Sequence, residues 1–142
     1  VIFFASTNTG IDKKPIKKIA SGGELSRFLL AIKVVLETEI QNRTIIFDEI
    51  DSGIGGSAAN AVGIRLAKLG KTYQTLVVTH SPQVTSKGHN HYLIKKQDIQ
   101  NKTISNVTEL NLNERVEEIA RMVSGQAITH EAREAAQKLL DN

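Results

Sequence analysis

Thr44-Ile45-Ile46-Phe47-Asp48-Glu49 is the stretch on which the fold of this chain turns. Residues 44–47 are β-branched or aromatic, as expected of a central strand. Two carboxylates follow at its carboxyl end, where open α/β sheets collect their ligands. A second such run, Leu76-Val77-Val78-Thr79, leads to His80 and predicts a strand over 75–79. Further strands are expected at 1–5 and, as a hairpin, at 91–95 and 104–110. Short β-branched runs alternating with longer helical patterns predict an α/β layer structure with a largely parallel sheet flanked by helices.

The helical segments follow from apolar spacing. Leu25, Phe28, Leu29, Ile32, Val35 and Leu36 share one face of a first helix, which is expected to lie against the sheet. Ala59, Val62, Leu66 and Leu69 point inward from a second, over 57–69. Val116, Ile119, Ala120 and Val123 mark a third, and Ala132, Ala135, Ala136 and Leu139 a fourth; Gly125 interrupts the two and Thr129 can cap the last. Residues 8–18, with Gly10, Pro15 and four lysines, read as a polar loop.

Ser21-Gly22-Gly23-Glu24-Leu25-Ser26-Arg27 opens the first helix. Ser21 and Glu24 have the spacing of a capping box, in which each side chain bonds the other residue's backbone N–H. Gly22 and Gly23 strip side chains from the first turn, so unpaired N–H groups and the positive end of the helix dipole can approach a phosphate. Taken alone, the same residues also describe an ordinary glycine-containing helix start. Asp48 and Glu49 need not share a role: Asp48 can orient water around Mg²⁺, and Glu49 can take a proton from an attacking water. An acidic strand end facing solvent is the plainer reading of this pair. Ile50 stands where Asp-x-Asp phosphatases carry their second aspartate, which argues against covalent phosphoryl transfer. His80 can hydrogen-bond a γ-phosphate, or be a polar loop residue.

Composition narrows the class. At 142 residues, 40% hydrophobic and 23% charged, the chain suits a single domain over 1–142 with a modest core. The absence of cysteine excludes disulfides and zinc–thiolate sites. No apolar run approaches the roughly 20 residues of a membrane span, and no signal-peptide pattern is present, so a cytoplasmic location away from membranes is expected. A net charge of +3 is weak support for a polyanion partner. Lysines 13, 14, 17 and 18, and the pair Lys95 and Lys96, form basic clusters that could meet a DNA backbone or simply face water. His89 and His91 have the spacing of a metal pair in a strand but lack a third ligand, and read as surface histidines. No Gly-x-x-x-x-Gly-Lys-Ser/Thr loop occurs. The chain begins at Val1 inside an apolar run, which reads as a cut front end.

The segments Ile19-Ala-Ser-Gly-Gly-Glu-Leu-Ser-Arg27, Ile46-Phe-Asp-Glu-Ile-Asp-Ser-Gly-Ile-Gly-Gly56 and Val77-Val-Thr-His-Ser-Pro-Gln-Val84 resemble, in order and spacing, the C-terminal half of the ATPase head of the RecN family. These are SMC-like, ABC-type ATPases of bacterial DNA double-strand-break repair and recombination. The resemblance runs over essentially the whole chain, to the segments 118–125 and 132–140. It implies a head half that lacks the Walker A subdomain. Ser21, Gly22, Gly23 and Glu24 match the signature motif, which contacts ATP held by the opposite head; Asp48 and Glu49 match Walker B, with Asp48 toward Mg²⁺ and Glu49 as general base; His80 matches the switch histidine. Implied partners are DNA, a second ATPase head in a homodimer, and the N-terminal Walker A half of the same protein, in a nucleoid-associated setting. The segment alone is expected to be inactive. Its missing strand should leave an open edge beside the strand ending at Thr79.

Two departures from the wider superfamily stand out. Gly55 occupies a place usually held by aspartate, and Ala20 one often held by leucine in transporters, so the loop 53–56 is read as acting through its backbone. The alternatives are a head segment of another SMC-like or RecF-like ATPase, and a non-catalytic module that binds DNA or protein.

Overall fold

The computed structural model describes residues 2–6, 10, 12–20, 22–35, 44–99 and 102–141. They form two compact units, Val1–His80 and Ser81–Asn142. In the first, β1 (Phe4–Ala5) pairs antiparallel with β2 (Lys14–Pro15), short α1 (Ile16–Ile19) and long α2 (Gly22–Val35) follow, and β3 (Thr44–Asp48) is joined through α3 (Gly56–Leu69) to β4 (Gln74–Val78), with which it pairs in parallel. β3 and β4 run in register from Thr44↔Gln74 to Asp48↔Val78, and the Thr44 hydroxyl donates to Gln74 Oε1 at 2.6 Å where the pair begins. Among the described residues β4 pairs with β3 alone.

The core of this unit gathers Leu30, Phe47, Ile50, Ala59, Val62, Leu66 and Leu69, all buried. The inward face expected of α3 is the one observed. That of α2 is not: Leu30 is buried, whereas Leu29 is 53% exposed, and among the described residues the element α2 lies most closely against is α3 rather than a strand. Leu25, Phe28 and Ile32 are half-buried, and Phe28 meets Phe3 edge-on at 5.7 Å. Apolar residues thus occupy two sides of α2, and spacing alone cannot say which side faces the core. Leu36 lies outside the described residues.

The front of the chain also differs from expectation. Ile2, Phe3 and Phe4 are exposed, and their partner is the stretch expected to be a loop. Pro15 has no N–H to give this ladder, so the neighbouring Ile16 N–H donates to Phe3 O at 2.9 Å instead. Parallel pairing is therefore confined, among the described residues, to β3 and β4.

In the second unit α4 (Pro82–Thr85) leads into a hairpin of β5 (Tyr92–Ile99) and β6 (Lys102–Glu109), followed by α5 (Leu112–Ser124) and α6 (His130–Asp141). The hairpin strands are longer than the sequence suggests, because Lys96-Gln97-Asp98 is too polar to read as strand yet pairs throughout with 103–105. Both faces meet water, and polar cross-strand partners such as Thr103 Oγ1 donating to Asp98 at 2.6 Å replace a core. Asn111 and Glu114 form a capping box at α5, which typically stabilises a helix start by about 1 kcal/mol. Ile119 and Ala120 pack on Ala132 and Ala136, whose small side chains let the two helices approach closely. Val123, expected in that face, is 45% exposed. Gly125 ends α5 with φ +81°, and Thr129 Oγ1 accepts from Ala132 N–H at 3.2 Å, as their residue types predict.

Candidate functional site

Because β3 and β4 are parallel and in register, their carboxyl ends lie side by side. Glu49 N–H donates to Val78 O at 3.1 Å, which carries the ladder one residue beyond Asp48. The backbone then turns sharply. Glu49 sits at φ +50°, in the left-handed region, and Ser52 N–H closes the turn on Glu49 O at 2.9 Å. That conformation costs a residue with a Cβ about 1–2 kcal/mol. It turns the next side chain, Ile50, into the core, where burial of such a group is worth about 1.5–3 kcal/mol. Ile50, significant in the sequence for the aspartate it replaces, is thus the anchor that leaves Asp48 and Glu49 at the surface.

Two side chains hold this turn from opposite sides. Arg27 of α2 donates through Nη1 to Ile50 O at 3.3 Å and Ser52 O at 2.9 Å. Asp51 reaches the other way: its Oδ2 accepts from the Thr79 hydroxyl at 2.8 Å and from His80 N–H at 3.2 Å. The end of β4 is therefore joined to the turn after β3 by a carboxylate. Further along, Gly53 takes φ +73° in the turn closed by Ile54 N–H to Asp51 O at 3.1 Å, and Gly56 opens α3 at φ +53°. No neighbour crowds the place of a Cβ at either glycine, so conformation rather than space requires them.

Asp48, Glu49 and His80 are all exposed at this one edge. Gly22, Gly23 and Glu24 form the first turn of α2, with Glu24 exposed. Ser21 lies outside the described residues, and with it the expected Ser21–Glu24 capping box. Arg27 follows Gly22 by five helical residues, about 7.5 Å along the axis. Among the described residues no group of three or more acidic, histidine or cysteine side chains could hold a metal on its own. A pair of adjacent exposed carboxylates fits instead Mg²⁺, which keeps several waters and takes its remaining ligands from substrate phosphates.

The histidine pair of the second unit is not built as the sequence suggests. Neither His89 nor His91 lies in a strand, and His91 is half-buried, with Nδ1 lacking a hydrogen-bond partner. Burial, and then the nearby Arg115 guanidinium, push the His91 imidazole below its ordinary value, while Glu118 acts in the other direction. Arg115 donates to His89 O at 3.1 Å and Gly88 O at 2.7 Å. This cluster secures the turn before β5 to α5.

No family model matches the chain. Over 140 residues, 99% of its length, it is 51% identical to the DNA repair protein RecN of Rickettsia bellii (strain RML369-C). It is 50% identical over 138 residues to RecN of Xylella fastidiosa (strain 9a5c), and 44% identical over 140 to RecN of Vibrio cholerae. This chain is RecN-like.

The RecN-like chain spans 26% of the length of the Rickettsia protein, and the match falls in a C-terminal portion of the relatives. Among solved structures it superimposes at a TM-score of 0.58 on an Smc head domain with a coiled coil and joint from Pyrococcus yayanosii, over 81% of this chain, 21% of that one and at 21% identity. A structure from work on ATP-driven dimerisation and DNA-stimulated activation of SMC ATPases gives 0.56, over 83% of this chain and 70% of that one, also at 21% identity. At such identity the likeness concerns the fold: the RecN-like segment has the α/β architecture of part of an SMC ATPase head. No helix among the described residues is long and apolar enough to cross a membrane. Sequence reading does not single out Arg27, Asp51 or Thr79, although all three lie inside the motifs themselves.

Proposed function

We propose that this chain is the part of a RecN-type DNA-repair ATPase that serves two nucleotides at once. Asp48, Glu49 and His80 work on one ATP, and the helix start at Ser21, Gly22, Gly23 and Glu24 meets another, held by a second head. The observation that carries this reading is the in-register pairing of β3 and β4, with Glu49 and His80 just beyond their adjoining ends. The RecN relatives support repair of DNA as the setting, and the likeness to SMC heads supports paired heads, since dimerisation there is ATP-driven and activation DNA-stimulated.

Each residue's part follows from its chemistry. Glu49 accepts the proton of the attacking water, Asp48 holds water around Mg²⁺, and His80 hydrogen-bonds the γ-phosphate from the neighbouring strand end. Mg²⁺, when bound, neutralises phosphate charge. The backbone N–H groups at Gly22 and Gly23 give the opposite nucleotide donors that no side chain obstructs. Having no phosphate loop of its own, the segment acts with the Walker A half of its own protein and with a second copy, in the cytoplasm at the nucleoid.

The test is Glu49→Gln in a full-length RecN-type protein carrying this chain. Phosphate release should fall by at least about 100-fold, while ATP-dependent dimers persist in size-exclusion chromatography. Turnover at the wild-type rate would remove Glu49 from the chemistry.

A further inference from the structure

The turn that carries Glu49 is closed by Ser52 N–H to Glu49 O, and Asp51 O accepts from Ile54 N–H just after it. Two further carbonyls are held by a side chain from outside the turn. Ile50 O and Ser52 O, the carbonyls on either side of Asp51, both point at Arg27 Nη1, which comes from a helix 23 and 25 residues earlier. Fixing a carbonyl fixes its peptide plane, and these planes, Ile50–Asp51 and Ser52–Gly53, follow the left-handed Glu49 by one and three residues. The bond to Ser52 O is exposed, where water competes and the net contribution to stability is small. Orientation is what this contact supplies.

We infer that Arg27 is a positioning residue for the reaction: by holding Ile50 O and Ser52 O it sets the direction of the Glu49 carboxylate and ties it to the helix that begins at Gly22 and Gly23. A rigid helix reports a shift at its first turn all along its length. Engagement of an anion at Gly22 and Gly23 is thereby passed through Arg27 to the residue that receives the water's proton. One site's occupancy is felt at the other. Asp51 completes the linkage by fastening the same turn to the backbone of His80.

This inference rests on the reading of Glu49 given above, and the experiment separates the two. In the full-length protein, Arg27→Ala should lower kcat about 10- to 100-fold, the cost of misplacing a reacting group by around 1 Å, with KM for ATP within about threefold of wild type. Arg27→Lys, which keeps donors on a comparable stem, should recover most of the loss. Arg27→Met, retaining the stem without the donors, takes the place of alanine if that variant does not fold. Wild-type kcat in Arg27→Ala or Arg27→Met, beside a Glu49→Gln protein that is inactive, overturns the inference alone. A joint rise in KM and fall in kcat that lysine does not rescue also overturns it, because Arg27 would then act on nucleotide binding. A Glu49→Gln protein with normal turnover overturns the underlying reading, and this one with it.

Discussion

At the scale of single residues, Glu49 shows how a local cost is maintained. Its φ of +50° suits glycine better than glutamate, and it persists because Ile50 is buried and Arg27 and Asp51 grip the turn that follows. Removing the carboxylate in two ways should expose the cost. Glu49→Gly should resist denaturant better than Glu49→Ala by about 0.5–1 kcal/mol, since alanine keeps the Cβ that the left-handed region penalises. Chemical unfolding of the two variants measures this, and the reverse order would show that the backbone there is unstrained. The acidic pair was legible in the sequence because its position after an apolar run is a local property. The ties made by Arg27 and Asp51 were not, since their partners lie 23 to 29 residues away and are mostly backbone atoms that no side-chain pattern reveals.

At the scale of elements, legibility follows how much of the pattern is local. α3 shows its inward face in its spacing, and α5 and α6 show theirs together with their stop and cap residues, Gly125 and Thr129. α2 carries apolar residues on two sides, and only its neighbours decide that Leu30 is buried and Leu29 is not. The pairing of β1 with β2 is a contact between distant short pieces, whereas the β5–β6 hairpin shows in its apolar runs and only its polar extension toward the turn, 96–98, does not.

The join between the turn before β5 and α5 carries a pH dependence. Burial and Arg115 hold His91 below its ordinary value of 6.5, against the pull of Glu118. Folding therefore favours neutral His91, and the unfolded chain takes up the proton first. Its contribution is complete above about pH 6.5 and is lost as acidity increases below that. Thermal melting followed by circular dichroism should show the chain losing stability between pH 7 and 5, and His91→Gln losing less. Equal losses in both would assign the acid sensitivity to other groups.

At the scale of the whole molecule, the RecN-like segment consists of two compact units and spans about a quarter of its Rickettsia relative. The largely parallel sheet suggested by alternating runs is represented among the described residues by β3 and β4. Ile46, Leu76 and Val78 stand on these two strands with between 46% and 67% of their surface in water. Such an oily stripe makes the isolated polypeptide a poor solute in the presence of salts that strengthen apolar association. Ammonium sulfate should throw it out of solution at lower concentration than a version with Ile46→Thr and Leu76→Thr, as read by turbidity; identical precipitation curves would mean that some other patch governs its solubility.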